Sequence, residues 1–202
     1  MRKLKFLFSL LMLICFSVGQ GWAQASKGAT LFSEDFSGYS ANDVPSGSVT
    51  AATGRVVYGD ASVTYACTDG DGSKPGATKI YNEAVATGTA PEILVGKYGS
   101  GGSTGGSFSI AGIPSGDAKE ITVTYKQNKQ KLKVAVSGTG YSSAGYDAKP
   151  ADVGEVSFDI TVGDGAASTF TLTFSAYSSN VRVDDIVVTV KNSRWLFHNT
   201  VV

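Results

Sequence analysis

The sequence is short of the residues on which most catalytic and metal sites depend. Its 202 residues include one histidine, His198, and two cysteines, Cys15 and Cys67. A serine or cysteine nucleophile needs a nearby base, and a histidine at the far end of the chain is badly placed to serve as one. Paired carboxylates such as Glu34 and Asp35 could hydrolyse a glycoside, but no spacing singles out a pair. We therefore expect a protein that is not an enzyme.

Long apolar segments are also scarce, and the first 25 residues are the exception. A basic start, Met1 to Lys5, precedes an apolar run, Phe6 to Val18, and then the small-x-small triplet that ends at Ala25. This order is typical of a signal peptide over residues 1–25, cleaved after Ala25, and predicts a secreted, periplasmic or cell-surface protein. The apolar run is too short to span a bilayer and no later run matches it, so no transmembrane segment is expected.

Neither sign of charge dominates, since the chain has 17 basic and 17 acidic residues. Loss of Arg2, Lys3 and Lys5 with the signal peptide leaves a net charge of about −3, whereas nucleic-acid-binding domains are basic. No nucleic-acid partner is therefore expected. Cys67 is the one cysteine after the signal peptide, so no disulfide is expected either, and we interpret Cys67 as a small buried residue at a strand end.

Helical periodicity is missing from the rest of the chain. Short runs of β-branched and aromatic residues alternate with clusters of Gly, Ser, Asp and Asn, the pattern of an all-β sandwich or barrel. The pattern predicts about nine or ten strands in a single domain over residues 26–190, followed by a tail of uncertain structure over residues 191–202. Residues 120–125 and 131–136 predict a β-hairpin, and the Gly- and Ser-rich residues 96–106 predict a flexible loop.

The last strand, over residues 180–190, is the most distinctive. A strict two-residue alternation places Val181, Val183 and Asp185 on one face and Asp184 and Ile186 on the other. Both faces are largely apolar, which favours a central strand. Whichever face points inward, one aspartate lies among apolar neighbours and needs a cation or several hydrogen-bond donors.

The two ends of this region resemble a known family. The early segment Leu31-Phe32-Ser33-Glu34-Asp35-Phe36 and the late segment Val183-Asp184-Asp185-Ile186 together resemble the jelly-roll carbohydrate-binding modules of the galactose-binding-like type. The stretches at 65–70, 88–94 and 180–185 are similar to secreted proteins of Bacteroidetes bacteria. The resemblance implies a two-sheet antiparallel β-sandwich of the jelly-roll type, in which the first and last strands lie side by side.

The same resemblance implies a structural Ca²⁺ between those two strands. Its candidate ligands are Glu34 or Asp35 from the first strand and Asp184 or Asp185 from the last. Opposed carboxylates repel one another unless a cation lies between them, and calcium prefers six to eight oxygen ligands. The alternative is that Arg182 or a lysine neutralises Asp184 and that Asp185 caps a loop.

A glycan site would need aromatic rings for the sugar to stack on and polar groups for its hydroxyls. The loop tyrosines Tyr98, Tyr141 and Tyr146 are the candidate ligand-binding residues. Both tryptophans, Trp22 and Trp195, lie outside the predicted domain, which weakens the case. Lysines near residues 126–133 could meet an acidic glycan, although lysines also protect sheet edges.

The sequence therefore favours a non-catalytic, exported module that binds a polysaccharide or glycan and carries a structural calcium ion. The alternative is a structural or protein-interaction sandwich of the cell envelope, with protein partners at the cell surface and no glycan ligand. Exposure of the three candidate tyrosines on one surface would favour the first function, and burial or scattering would favour the second.

Overall fold

The computed structural model describes residues 25–59, 61–86, 90–147 and 153–193. All the regular elements in these ranges are β-strands, and no helix there is long and apolar enough to cross a membrane. In chain order the strands are β1 (Thr30–Glu34), β2 (Gly47–Val49), β3 (Arg55–Val57), β4 (Val63–Thr68), β5 (Lys79–Tyr81), β6 (Glu92–Val95), β7 (Ser107–Pro114), β8 (Ala118–Gln127), β9 (Leu132–Ser137), β10 (Tyr141–Ser142), β11 (Tyr146–Asp147), β12 (Gly154–Val162), β13 (Thr169–Ala176) and β14 (Val181–Ser193).

The strands form two antiparallel sheets that pack face to face. The larger sheet has the order β10-β12-β8-β14-β1-β3, with β6 also beside β14 and β5 beside β6, and the smaller sheet has the order β11-β9-β13-β7-β4-β2. Apart from the β5–β6 pair, successive strands alternate between the two sheets, so the chain wraps around the core as in a jelly roll. The predicted all-β, two-sheet antiparallel sandwich is confirmed.

Aromatic side chains link the two sheets through the core. Tyr65 contacts Phe32 edge-on, with ring centroids 6.4 Å apart, and Phe108 at 5.2 Å. Phe174 continues the series, 6.3 Å from Phe108 and 5.3 Å from Tyr125. All five rings are buried. Because aromatic pairs of this geometry add to the free energy of burial, this series ties the middle of one sheet to the middle of the other.

The strand β14 is central, as predicted, because it lies between β8 and β1 and pairs with β6 at its start. The predicted strict alternation of its residues is wrong, however. Opposite β8 the register jumps between Asp184 and Val187, and Asp185 adopts a φ of 49°. This β-bulge adds one residue to β14. Val183 and Ile186 consequently both point into the core, and the two aspartates differ in environment.

The predicted hairpin of residues 120–125 and 131–136 is also wrong. Both segments are strands, but β8 pairs with β12 and β14 in the larger sheet, whereas β9 pairs with β13 and β11 in the smaller one. The side chains of Tyr125 and Leu132 are both buried in the core, but they come from opposite sheets. Alternating hydrophobicity is the same in both arrangements, so it does not distinguish a hairpin from a crossing between sheets.

The ends of the domain differ slightly from the predicted limits. The strand β14 continues past residue 190 to Ser193, which pairs with Ala118, so three residues of the predicted tail belong to the sheet. Residues 194–202, and residues 1–24 of the predicted signal peptide, lie outside the described residues. Ala25 is buried in the core, and cleavage after it would remove this side chain from the domain. Cys67 is half-buried near the end of β4, and burial raises its pKa to about 12.

Residues 96–106 do not form the loose loop that their composition predicts. The N–H of Gly99 donates to the carbonyl of Asp71 at 2.7 Å, and the Asp71 carboxylate accepts the N–H groups of Ser103 and Thr104 at 2.8 Å. A Cβ on Gly99 would lie 2.5 Å from the backbone of Lys74. Glycine is needed here because the two loops touch backbone to backbone, and this contact closes one end of the sandwich.

Candidate functional site

The first candidate carboxylate, Glu34, points into the core from β1. Its Oε2 atom lies 2.5 Å from Nε of Arg55 on β3 and accepts the hydroxyl of Tyr65 at 2.6 Å, while its Oε1 atom accepts the N–H of Phe36 at 2.8 Å. The side chain of Glu34 is 1% exposed and that of Arg55 is 10% exposed. Arg55 also donates to the Tyr39 hydroxyl at 3.0 Å and stacks near both tyrosine rings. Both oxygens of this buried carboxylate therefore accept hydrogen bonds from the protein.

The acid–base properties of this cluster follow from its burial. Burial raises the pKa of Tyr65 strongly, and the adjacent Glu34 charge raises it further. Burial opposes the charge on Arg55, but the hydrogen bond to Glu34 and the charge interactions with Tyr65, Glu34 and Tyr39 together outweigh it, and the pKa of Arg55 is raised. The cluster consequently holds one ionised pair and a neutral tyrosine that donates to it, an arrangement that stabilises the fold.

The neighbouring Asp35 turns outward. Its Oδ1 atom accepts the N–H of Ser37 at 2.8 Å, and the N–H of Asp35 donates to the carbonyl of Gly54 at 3.1 Å. A Cβ on Gly54, which has a φ of 75°, would lie 2.0 Å from Oδ1 of Asp35. Glycine at position 54 thus leaves the space that this carboxylate occupies, and Asp35 faces the outer side of the larger sheet.

The two aspartates of β14 lie on either side of the bulge. Asp184 is completely buried, and its Oδ1 atom accepts the N–H of Asp185 at 2.8 Å. The side chain of Asp185 is 36% exposed and forms an ion pair of 2.9 Å with Nζ of Lys126 on β8. This hydrogen bond raises the pKa of Lys126. Arg182, one of the two kinds of partner predicted for Asp184, instead pairs with Glu83 at 2.7 Å and stacks on Tyr81.

The four predicted calcium ligands therefore do not converge. Glu34 and Asp184 are buried, whereas Asp35 and Asp185 face the outer surface, and protein cations already neutralise Glu34 and Asp185. Within the described ranges no group of three or more carboxylate, histidine or cysteine side chains could hold a metal ion. Calcium needs six to eight oxygens at short distance, and this arrangement does not fit that requirement. The alternative differs in its partners too, because Arg182 pairs with Glu83, and the lysine of this region, Lys126, pairs with Asp185.

The two outward-facing carboxylates, Asp35 and Asp185, do share one concavity, a cleft of about 320 Å³ on the outer face of the larger sheet. Asp35, Asp185 and Glu155 border it, with Lys126 between the last two. Its floor is formed by the cross-strand row of Ser33, Val187 and Thr124 together with the backbone next to them. We name this concavity the outer cleft. It combines carboxylates, one ammonium group, hydroxyls and an aliphatic surface.

The three predicted ligand-binding tyrosines do not form one platform. Tyr141 on β10 packs 5.0 Å from Phe170 and donates its hydroxyl to the carbonyl of Ala167, and burial raises its pKa. Tyr146 on β11 stacks 6.2 Å from Phe158 at an edge of the sandwich. Both rings are half-buried against the core. Tyr98 belongs to the closed loop of residues 96–106, and none of the three borders the outer cleft.

Sequence reasoning missed most of the outer cleft. The sequence pattern places Lys126 only among the lysines near the predicted hairpin, and it gives no signal for Glu155, Ser33 or Thr124. The alternation within each strand placed Thr124 and Lys126 on the same face. Alternation within one strand does not show which strands lie beside it, and β8 pairs with β12 and β14, not with β9.

Comparison with known proteins does not assign a function, so the proposal below rests on the geometry of the outer cleft. No protein-family model matches the chain. No curated protein matches it either.

Proposed function

We propose that the protein is a non-catalytic, exported β-sandwich that binds a glycan in the outer cleft. The observation that carries the proposal is the lining of that cleft. Asp35, Asp185 and Glu155 offer hydrogen-bond acceptors, and Lys126 offers donors, around a floor with the aliphatic side chain of Val187. Sugars present rings of hydroxyls that both donate and accept, together with apolar C–H faces, so a pocket of convergent polar groups on an aliphatic floor suits them.

The volume of the outer cleft limits the bound segment. About 320 Å³ accommodates one or two sugar units, so a polysaccharide would bind with a short segment and extend beyond the cleft. The Lys126–Asp185 ion pair is half-exposed, so sugar hydroxyls can replace its contacts with water.

The same side chains support a binding role over a hydrolytic one. A glycosidase needs a carboxylic acid that keeps its proton at neutral pH, which requires shielding from water or a second negative charge nearby. Glu155 is exposed, and Asp185 is paired with a lysine. The arrangement places both carboxylates where they can accept hydrogen bonds from a ligand.

A glycan-array screen of the purified protein tests this function, followed by titration of any hit. The variants Asp185→Asn and Glu155→Gln should weaken binding about tenfold each, because each removes a charged acceptor. The matched control is Asp117→Asn, at the opposite end of β8 from Lys126. An array without hits, or equal losses in all three variants, would argue against a glycan site in the outer cleft.

A structural or protein-interaction role is the second candidate, and the aromatic side chains favour it. Tyr141 and Tyr146 pack against the core, and the described residues include no tryptophan that could form a sugar platform. A folded protein that fails to bind any glycan but captures a cell-envelope protein in a cross-linking experiment would support this role.

A further inference from the structure

On the opposite side of the molecule, two lysines lie close to the ring of Tyr177. The Nζ atom of Lys131 is 5.4 Å from the centroid of the Tyr177 ring, and Nζ of Lys133 is 5.8 Å from it. Tyr177 follows directly after β13, and the two lysines alternate with the buried Leu132 at the start of β9, so both lysines project from the outer face of the smaller sheet. We name these three residues the Tyr177 patch.

The backbone around Tyr177 is tightly held. Its N–H donates to the carbonyl of Lys131 at 3.2 Å, and its carbonyl accepts the N–H of Tyr98 at 3.2 Å. The preceding Ala176 donates its N–H to the carbonyl of Gly106, and a Cβ on Gly105 would lie 1.3 Å from the Ala176 carbonyl oxygen. The closed loop of residues 96–106 thus presses directly against this segment. An aromatic ring on such a backbone is preorganised, which lowers the entropic cost of binding a ligand.

The positive charge of the patch is only weakly compensated. Lys133 is 3.5 Å from the Asp147 carboxylate, but the two side chains are 60% and 65% exposed, so this pair is strongly screened by water. Lys131 takes part in none of the ion pairs found among the described residues. Two ammonium groups within 6 Å of one ring centroid repel each other, and an anion placed between them would relieve that repulsion.

The surface beside the patch is rich in hydroxyls. The row of residues across the sheet from Lys133 runs through Ser175 and Ser107 to Thr68, and the last two hydroxyl oxygens lie 2.8 Å apart. Small side chains of this kind leave space above the sheet for a sugar ring that stacks on Tyr177 and extends along the row. They also offer donors and acceptors to its hydroxyls.

We propose that the Tyr177 patch is a second glycan-binding site and that it takes an acidic polysaccharide whose sugars carry carboxylate or sulfate groups. The proposal rests on the proposed function only in taking the ligand to be a glycan. Tyr177 stacks on the sugar ring, and Lys131 and Lys133 bind the acidic group on either side of it. Lysine suits this role because its flexible stem lets the ammonium group move from the aromatic ring to the ligand anion.

Titration of the purified protein with alginate, which carries carboxylates, with chondroitin sulfate, which also carries sulfates, and with neutral dextran tests the proposal. At least one acidic polymer should bind, and dextran should not bind at this patch. The double variant Lys131→Gln/Lys133→Gln should weaken binding to the acidic polymer about tenfold or more and flatten its salt dependence. Both lysines are exposed, so this variant should fold normally.

The matched control is Lys27→Gln/Lys119→Gln, which makes the same change in net charge at two exposed positions elsewhere. Tyr177→Phe should retain binding and Tyr177→Leu should lose it, which separates a stacking role from a merely structural one. Equal losses in the two double variants, tight binding of an RNA homopolymer, or no binding of either acidic polymer would overturn the proposal. Binding that Asp185→Asn weakens but the patch variants leave unchanged would place the ligand in the outer cleft alone.

Discussion

Two ion pairs flank the paired strands β1 and β14, and they lie on opposite faces of the same sheet. Glu34 and Arg55 meet in the core at 2.5 Å, with exposures of 1% and 10%, whereas Asp185 and Lys126 meet at the outer cleft at 2.9 Å, with about a third of each side chain exposed. The sequence shows adjacent acidic residues at both places, but the environments are opposite. The inner pair is held by the fold, and the outer pair remains accessible to a ligand.

Removal of Arg55 from the inner pair should have the largest effect on the free energy of unfolding. Arg55→Ala leaves the Glu34 carboxylate buried with a tyrosine hydroxyl and one backbone N–H, and we expect the free energy of unfolding to fall by about 3–5 kcal/mol. Urea unfolding measures the change. The double variant Glu34→Leu/Arg55→Met removes both charges and should lose much less. A double variant as unstable as Arg55→Ala would show that packing around these residues, and not the unpaired charge, determines the loss.

Loss of the Tyr65 hydroxyl should have an intermediate effect. Tyr65→Phe keeps the aromatic contacts with Phe32 and Phe108 but removes one donor from Glu34, so we expect a loss of about 1–3 kcal/mol in the free energy of unfolding. A substitution without effect would mean that Arg55 and the N–H of Phe36 satisfy the carboxylate without the hydroxyl.

The pH dependence of the free energy of unfolding is a second test of the Tyr65 hydroxyl. Because burial raises the pKa of Tyr65 above its ordinary value of 10.0, the folded protein keeps the phenol proton at pH values where the unfolded chain releases it. This contribution to stability is complete below pH 10 and is lost progressively as the pH rises above it. Wild type should therefore lose stability more steeply than Tyr65→Phe between about pH 10 and pH 11.5, measured by urea unfolding at each pH. Parallel curves would exclude Tyr65 as the cause.

The outer pair should contribute little to stability. Lys126→Met removes the partner of a half-exposed aspartate, and we expect a change in the free energy of unfolding of less than about 1 kcal/mol. Glycan binding in the outer cleft should weaken in the same variant. A stability loss as large as that of Arg55→Ala would show that the two pairs do not differ as the structure indicates.

Addition of calcium should have the smallest effect on the stability of the protein. With Arg55 on Glu34 and Lys126 on Asp185, the melting temperature should be the same in calcium and in chelator. If calcium raises the melting temperature, and if Asp185→Ala abolishes that rise, the result would restore the calcium site that the resemblance implies.

The sequence predicted the sandwich because its strands show clear alternation, and it placed β14 correctly at the centre. It did not predict the bulge at Asp184 and Asp185, since an extra residue in a strand leaves no mark in a run of valines and isoleucines. It also did not predict the partners of the carboxylates. Arg55 reaches Glu34 because β3 pairs with β1, and Lys126 reaches Asp185 because β8 pairs with β14. Such pairings over long separations depend on the whole topology and not on local pattern.

The pairing of β1 with β14 has a consequence for the order of folding. Thr30 lies opposite Thr189, so β1 meets this neighbour only after almost the whole domain has been synthesised, whereas its other neighbour, β3, follows soon after it in the sequence. Contacts over such long separations form late and slowly. Until β14 arrives, β1 and β8 both lack the neighbour that lies between them. We therefore expect the β1–β3 and β8–β12 pairs to be joined into one sheet only in a late step, when β14 inserts between them.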